Sequence, residues 1–323
     1  MDGQGRVVDE RRLPNGEVAA YLKGKVPRET YAVLEATRNW PFMYDLLREH
    51  VARVELAHPK ELKAISAAAV KTDKVDARTL ANLARMNYLP IAYAASAEIR
   101  DLRLEVRHRD RLVSQRTQAK NRIHAVLASY NLVSPKTDLF GVSGRQYLEE
   151  VMCAPLRPAA VRAIRRDLAL IDHLTEQIQE IEASLELSAE QEQQAKLLRT
   201  MPGVGRVGAV ILLAEIADIQ RFHSAKALCN WAGLTPKIRS SDTHLRHGRI
   251  SKQGPALVRA TMTRAATIAS RSSKRWYRVH EKLALRCGRQ AAKVAVARRL
   301  LTVIYYMLKR QEPYQEDYAS RGR

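Results

Sequence analysis

The fold is organised around residues 197–252, which begin LLRTMPGVGRVGAVILLAEI and end GLTPKIRSSDTHLRHGRISK. In the first half, PGVG at residues 202–205 separates a predicted helix from a long apolar helix that begins near Val207. Gly203 and Gly205 permit a tight turn that leaves backbone N–H groups free at the start of the second helix. A helix start of this kind can bind a phosphate group.

The spacing of these glycines resembles that of a helix-hairpin-helix element, which grips a DNA or RNA backbone without reading its bases. Arg206 follows the second glycine and adds a positive charge at the helix start. We therefore predict nucleic-acid contact at Gly203, Gly205 and Arg206. A plain turn between two helices, punctuated by glycine, is the alternative.

The second half is a polar segment, residues 237–252, with five Lys or Arg and two His against one acid. We predict a loop here, with Ser240 and Ser241 at its centre. A serine pair in a loop is ordinarily solvated turn chemistry. The alternative is that one hydroxyl attacks a phosphodiester while nearby arginines stabilise the negative charge that develops. The basic residues predicted to contact nucleic acid here are Arg239, Arg246, Arg249 and Lys252.

The charge of the chain predicts a polyanionic partner. Its 323 residues carry a net charge of +21, and the pI is near 10.2. Residues 1–59 contain nine acids and nine Lys or Arg, whereas residues 254–310 contain fourteen Lys or Arg and one acid, Glu281. A merely soluble surface mixes its signs, so this asymmetry favours nucleic-acid binding over a solvated face.

Three cysteines far apart in sequence indicate neither a disulfide framework nor a cysteine-based zinc site, and they fit a reducing cytosol. They are Cys153, Cys229 and Cys287. We find no signal peptide and no apolar run long enough to span a bilayer. The sequence therefore predicts a cytoplasmic protein without a membrane partner, long enough to hold two domains.

The N-terminal part alternates short apolar runs with a helical pattern, which predicts an α/β domain with a parallel or mixed sheet. Residues 6–12, 31–34 and 51–57 predict strands, and residues 42–49 predict a helix. The second of these strands ends at Glu35. Functional groups of such sheets gather at the carboxyl ends of strands, which makes Glu35 a candidate site residue.

Two aspartates begin the next predicted helix, residues 70–85. Asp73 and Asp76 are three residues apart and therefore share one helix face. Carboxylates at a helix start are commonly favourable capping charges. The alternative is that Asp73, Asp76 and Glu35 converge to hold Mg²⁺, a hard cation that takes carboxylate oxygens in phosphoryl-transfer sites.

Two long apolar stripes, at about residues 97–130 and 161–187, predict an antiparallel helical arm with Ser96 as the N-cap. Its seam closes either a hairpin, as in an ordinary bundle, or a dimer. Basic residues on the other faces of the first helix, Arg107 and Arg111 among them, predict nucleic-acid contact. Residues 255–309 are predicted to be helical, with Trp276 either a core anchor or a base-stacking residue.

Taken together, these motifs resemble those of transposases of the insertion sequence one-ten (IS110) family. They are LEAT at 34–37, KTDKVDARTLA at 71–81, PGVG at 202–205, WAGLTP at 231–236 and RSSD…GRISKQG at 239–254. The resemblance covers nearly the whole chain, and the order and spacing of the motifs make it specific. It implies an N-terminal RuvC-like (RNase H-like) DEDD domain, a helical arm, and a mostly α serine transposase domain with a helix-hairpin-helix element. The corresponding ranges are 1–95, 96–190 and 191–312, followed by a tail at 313–323.

The resemblance implies a recombinase that cuts and rejoins DNA through a covalent link between a serine and a DNA phosphate. Glu35, Asp73 and Asp76 match the family's acidic residues, which imply Mg²⁺ as cofactor. Ser241 matches its nucleophile, with Ser240 as the alternative. Members are similar in being guided by a structured (bridge) RNA and in assembling as dimers and tetramers. The implied partners are DNA, guide RNA and further copies of the chain, and the implied location is the nucleoid of a bacterial cytoplasm.

The resemblance breaks at the N-terminus. The family opens with a strand that ends in Asp, followed by the turn that corresponds to residues 2–5, but here Met1 falls at that turn. We expect the first strand and one of four catalytic carboxylates to be absent. Neither Asp2 nor Asp9 is expected to replace it, because neither follows an apolar strand. The hypothesis is that the family performs DNA transposition while this form is weakened or inactive.

Three other functions remain open from the sequence. The first is a Mg²⁺-dependent junction nuclease that uses only the carboxylates. The second is a non-catalytic helix-hairpin-helix remnant that binds DNA or RNA. The third is a helical structural or partner-binding protein, which the charge of residues 254–310 disfavours.

Overall fold

A computed structural model describes residues 1–59, 61–62, 73–241 and 244–316, without the side chains of residues 73–74 and 238–247. The chain divides into two units, Met1–Ser96 and Ala97–Arg323. In the part of the chain that the structure describes, none of the helices is long and apolar enough to cross a membrane. The three cysteines are free thiols, two of them buried.

The first unit is built on a three-stranded mixed sheet in the order β1-β2-β3. β1 (Tyr31–Glu35) pairs in parallel with β2 (Arg53–Ala57), and β2 pairs antiparallel with the short β3 (Ile91–Ala92). The helices are α1 (Val18–Lys25), after a 3₁₀ turn at Asn15–Glu17, α2 (Trp40–His50), which links β1 to β2, and α3 (Asp73–Arg85). The predicted mixed sheet, the strands at 31–34 and 51–57 and the helix at 42–49 are confirmed; β3 was not predicted.

The predicted strand at residues 6–12 is wrong, because this segment has no regular structure. Val7 and Val8 are exposed rather than packed in a sheet. Charged residues surround these two apolar residues, and Glu10 accepts hydrogen bonds from the guanidinium of Arg78 on α3 at 2.7 and 2.8 Å. The segment thus satisfies its charges by pairing with a helix, and it lacks the apolar face that a buried strand requires.

Two long helices form the arm of the second unit, α4 (Ala97–Ser129) and α6 (Pro158–Ser184). Hydrogen bonds between the two helices join residues of increasing number on α4 to residues of decreasing number on α6, so the helices are antiparallel. The bonded pairs are Arg109–Glu182, Arg116–Thr175 and Arg122–Asp167. The buried seam between them contains Ala119, Ile123, Leu127, Ile164, Leu168 and Ile171. The seam therefore closes a hairpin within one chain, connected through α5 (Val142–Tyr147) and a π-helical turn at Leu148–Met152.

The rest of the second unit is a helical core. Its helices are α7 (Ala189–Arg199), α8 (Arg206–Ile216), α9 (Ala225–Trp231), α10 (Ala256–Ser272), α11 (Lys274–Cys287) and α12 (Arg289–Arg310). Residues 209–216 of α8 are all buried, and α12 buries an apolar stripe that includes Ala297, Leu301, Ile304 and Leu308. Trp276 is a core anchor, 2% exposed, and its Nε1 donates a hydrogen bond to the Tyr314 hydroxyl.

A β-hairpin replaces the loop predicted at residues 237–252. Strand β4 (Pro236–Ser241) pairs antiparallel with β5 (His244–Ile250). The prediction of a loop is therefore wrong at this point. The loop was predicted from the charges and the serine pair, which are typical of turns. Cross-strand hydrogen bonds satisfy the backbone of a polar segment as well as solvent does, so polar composition does not exclude a strand.

Candidate functional site

The base of the β4–β5 hairpin is held by two glycines whose backbones touch the opposite turn. Gly254 has φ +74°, and a Cβ at this position would lie 1.9 Å from the Trp231 carbonyl oxygen. Gly233 has φ +69°, and its Cβ would lie 2.1 Å from the Gln253 carbonyl oxygen. Only glycine allows both the left-handed conformation and the close approach. The motifs WAGLTP and SKQG are therefore the two halves of one clamp.

Hydrogen bonds complete this clamp, which we call the glycine clamp (residues 231–235 and 251–254). The Ser251 N–H donates to the Thr235 carbonyl at 2.9 Å, and the Lys252 N–H donates to the Gly233 carbonyl at 3.2 Å. Nη1 of Arg259, on α10, donates to three backbone carbonyls. They are those of Ala232, Gln253 and Gly254, at 3.2, 2.9 and 3.0 Å. Burial lowers the pKa of the Arg259 guanidinium. No sequence pattern assigned a role to Gly233, Gly254 or Arg259, although a Gly-Pro pair at 254–255 signals a special turn.

The candidate serines lie where β4 ends. In the register of the hairpin, Ser240 pairs with Leu245 and Ser241 pairs with His244, next to the residues that join the strands. The side chains of Ser240, Ser241, Arg239 and Arg246 lie outside the described set, so their predicted roles rest on their register positions. Arg249 and Lys252 are described and exposed. Lys252 also lines a cavity of about 480 Å³ beside the hairpin base, together with Ile250, Arg259 and Arg264.

The start of α8 is open, as the glycine spacing predicted. Gly205 is its N-cap residue, no side chain caps it, and both Gly205 and Arg206 are exposed. Gly203 has φ +88°, and a Cβ there would lie 2.3 Å from the Ala265 carbonyl oxygen on α10. Gly203 is therefore needed to pack the turn on α10, whereas Gly205 leaves the N–H groups of the helix start accessible. These groups are available to a phosphate.

The other end of α8 is fastened to the arm by arginines of α4. Arg107 donates from Nε and Nη2 to the two carboxylate oxygens of Glu215, at 2.7 and 2.8 Å. Arg103 donates to the carbonyls of Ala214 and Glu215, at 2.7 and 3.1 Å. The contact gives Arg107, predicted to bind nucleic acid, a structural partner. Arg111, one turn further along α4, is exposed.

Replacing Glu215 with glutamine should lower the free energy of unfolding by about 1–2 kcal/mol, since one charged hydrogen-bond pair is lost while the shape is kept. Glu215 is 2% exposed, but its partner Arg107 is 53% exposed and can be hydrated when the pair is broken. Urea unfolding measures the change. Asp172→Asn is the control: Asp172 is 52% exposed and its partner Arg145 31%, and loss of this pair should cost under about 1 kcal/mol. Equal costs would contradict the role of burial.

The described acidic candidates lie on two elements of the first unit that enclose one cavity. Tyr31 and Val33 of β1 and five residues of α3 line a cavity of about 450 Å³; the α3 residues are Ala77, Leu80, Ala81, Ala84 and Arg85. Side chains two apart on a strand share a face, so Glu35 continues the row of Tyr31 and Val33. Asp76 precedes Leu80 by one helical turn. The strand and helix faces that line the cavity thus end in carboxylates.

Both of these carboxylates are half-buried, and among the described residues neither has a hydrogen-bond or ion-pair partner. Unpartnered carboxylate oxygens are the donors that Mg²⁺ takes. The side chain of Asp73 lies outside the described set. Among the side chains that are described, no three His, Cys, Asp or Glu residues form a cluster that could hold a metal ion.

Comparison with known proteins covers both parts of the chain. Residues 195–281 match a family described as "Transposase IS116/IS110/IS902 family", and residues 1–132 match the DEDD_Tnp_IS110 family, described as "Transposase". The chain is similar to "Transposase for insertion sequence element IS1111A" of Coxiella burnetii, with 25% identity over 98% of this chain and 87% of the relative.

Two further relatives match parts of the chain. "Transposase for insertion sequence element IS1328" of Yersinia enterocolitica is 28% identical over 50% of this chain and 48% of the relative. "Pilin gene-inverting protein" of Moraxella bovis is 27% identical over 45% of this chain and 46% of the relative. The matched ranges include the motifs at residues 34–37, 71–81 and 231–254, and the chain belongs to the IS116/IS110/IS902 family of transposases.

Proposed function

We propose that the chain is a DNA recombinase that cuts and rejoins strands through a covalent bond between Ser241 and a DNA phosphate. The Ser241 oxygen forms a bond to the phosphorus, and one bridging P–O bond of the DNA breaks. The serine proton leaves to solvent or a base, and the departing oxygen becomes a free hydroxyl. A hydroxyl of another strand then attacks the same phosphorus and releases the serine, so no external energy source is needed.

The register of the hairpin is the observation that carries this proposal. Arg239 pairs with Arg246, and Ser241 pairs with His244. Paired positions share a face, and positions two apart on a strand share it too, so these four positions belong to one face of the hairpin. Ser240 belongs to the other face, with Leu245. A nucleophile needs cations beside the phosphate it attacks, and the shared face of the Arg239, Arg246 and Ser241 positions supports Ser241 over Ser240.

The acidic residues supply the proposed metal site. Glu35 and Asp76, with Asp73, would hold Mg²⁺, which would neutralise phosphate charge and polarise the P–O bond under attack. They lie in the first unit, whereas Ser241 lies in the second. A composite site needs an acidic unit and a serine unit, and we propose that different subunits of a dimer or tetramer contribute them.

A structured RNA completes the proposal as the source of target choice. The candidate phosphate-binding groups, at the start of α8 and at exposed Arg249 and Lys252, would provide charge but no base-specific pattern. The resemblance to RNA-guided family members assigns that choice to base pairing with a guide RNA. A net charge of +21 provides for a second polyanion besides DNA.

The proposal is tested by identifying the residue that is joined to DNA. The chain is incubated with Mg²⁺, the guide RNA of its element and supercoiled DNA that bears the element ends, then denatured and digested. Trypsin releases residues 240–246, which contain both serines, and fragment spectra distinguish them. We expect a nucleotide remnant on Ser241. Strand breakage without a remnant would replace the proposal with a carboxylate nuclease. DNA binding without breakage would replace it with a non-catalytic binding protein.

A further inference from the structure

A groove between α11 and α12 concentrates positive charge and shares no lining residue with the cavity beside the hairpin base. Its volume is about 190 Å³. Val279 and Leu283 form its apolar part. Four cations line the rest: Arg278, Lys282 and Arg286 from α11, and Arg299 from α12. Among the described residues, none of the acids lines this groove, which we call the α11–α12 groove.

These four cations lack counter-charges within the described part of the chain. No hydrogen bond or ion pair joins any of them to a described residue, whereas the arm arginines at 107, 109, 122 and 145 each pair with a carboxylate. Glu281, the one acid between residues 254 and 310, is bonded to the ring of His280 at 3.0 Å. A ligand that brings negative charge would therefore displace no ion pair of the described residues.

Keeping these cations together costs energy in the free protein. The pKa of the Arg299 guanidinium is lowered, first by desolvation and then by repulsion from Arg298 and Arg286. A bound anion would offset both effects, because it supplies an opposite charge where water has been partly removed. A bound anion would therefore lower the electrostatic free energy of the groove.

The arrangement of the cations selects an extended anion. Arg278, Lys282 and Arg286 are four residues apart on one helix, so they follow each other at about 6 Å along one face of α11. The row spans about 12 Å, longer than one phosphate group, and the Arg299 guanidinium lies on the opposite wall. A chain of phosphates, carrying repeated charges along a line, fits such a row better than a single ion does.

We infer that the α11–α12 groove is a binding site for the phosphodiester backbone of a nucleic acid, separate from the serine hairpin and from the start of α8. The inference rests on the proposed function only in taking a nucleic acid as the ligand. Arginine and lysine side chains that meet the backbone fix its position without reading its sequence. The groove holds a stretch of DNA or RNA while another part of the molecule reaches the serine.

The test compares two triple variants that remove the same charge. One changes the groove: Arg278→Gln, Lys282→Gln and Arg286→Gln. The control changes exposed cations outside it: Arg271→Gln, Lys274→Gln and Arg289→Gln. Binding to a short DNA duplex, a single DNA strand and an RNA strand is measured over a range of salt. For the duplex, we expect the groove variant to reduce the slope of log affinity against log salt by about 2–3, and the control by under about 1.

Equal reductions in the two variants would overturn the inference, since net charge alone would then explain them. The nucleic acid whose binding differs most between the two variants is identified as the ligand, DNA or RNA. In the unchanged protein, the same ligand should protect Arg278, Arg286 and Arg299 from phenylglyoxal but leave Arg271 and Arg289 reactive. Uniform protection would also overturn it. Binding is scored without strand cleavage, so a chain that never forms a serine–DNA bond still tests the groove.

Discussion

A chain in which Ser241 is replaced by alanine is expected to form no covalent bond to DNA. Strand transfer should fall by about four orders of magnitude or more, the scale seen when a nucleophile is removed from a covalent mechanism. DNA and RNA affinity should stay within about threefold, because phosphate contacts to Lys and Arg carry it. The measurements are the yield of denaturant-resistant protein–DNA complex, the yield of joined product and a binding titration.

Ser240→Ala is the matched control for this substitution. It removes the same hydroxyl one residue away, from a register position on the other face of the hairpin. We expect its adduct yield to remain within about threefold of the unchanged chain, since the cations required at the phosphate belong to the Ser241 face. The reverse pattern would transfer the nucleophile to Ser240. Adduct formation by both variants would remove the serine mechanism.

Gly254→Ala should lower the free energy of unfolding of the second unit by about 2–5 kcal/mol. Left-handed backbone costs an L-residue about 1–2 kcal/mol, and forcing extra volume into packed atoms costs about 1–3 kcal/mol more. The obstacle is the backbone carbonyl of Trp231, 1.9 Å from the new methyl group, and it cannot rotate aside. Urea unfolding followed by circular dichroism measures the loss. The same variant should lose most strand transfer at temperatures where it stays folded, because the hairpin base is displaced.

Gly248→Ala provides the comparison within the same hairpin. Its Cβ would meet the Lys237 carbonyl oxygen at 3.4 Å, an ordinary contact, and its φ is not left-handed. We expect a change within about 0.5 kcal/mol, as for surface positions away from special features. A Gly254→Ala chain with unaltered stability would show that the clamp can open at little cost. The account of how the hairpin is held would then fail.

Sequence patterns predicted the helices of the second unit because apolar residues there recur with the helical period. The stripe on α12 and the nearly continuous apolar run of α8 leave little choice of structure. The prediction of a strand at residues 6–12 was wrong because two valines match a strand pattern while their neighbours form ion pairs. The prediction of a loop in place of the β4–β5 hairpin failed for the opposite reason. Its residues are polar, and its pairing depends on a clamp formed by turns at its two ends.

The candidate site could be predicted only as far as its chemistry is local. Ser241, Glu35, Asp73 and Asp76 stand in motifs that resemble those of the family, and their roles stay predictions. The partner of Arg107 is Glu215, 108 residues away in sequence, and no pattern connects them. Arg259 likewise stabilises turns through carbonyls that any residue possesses. Such contacts arise from packing, and packing is not legible in the order of residue types.

The glycine clamp also separates the attachment of the hairpin from the side chains that the hairpin carries. Its described hydrogen bonds and close approaches involve backbone atoms of residues 231–235 and 251–254 together with Arg259 of α10, and none uses a side chain of β4 or β5. The described attachment of the hairpin to the helical core therefore depends on the backbone of these two turns, with Ile250 of β5 lining the cavity beside the hairpin base. A hairpin of different length or charge, taken from a relative, is expected to stay attached if it keeps both turns and an apolar residue at position 250.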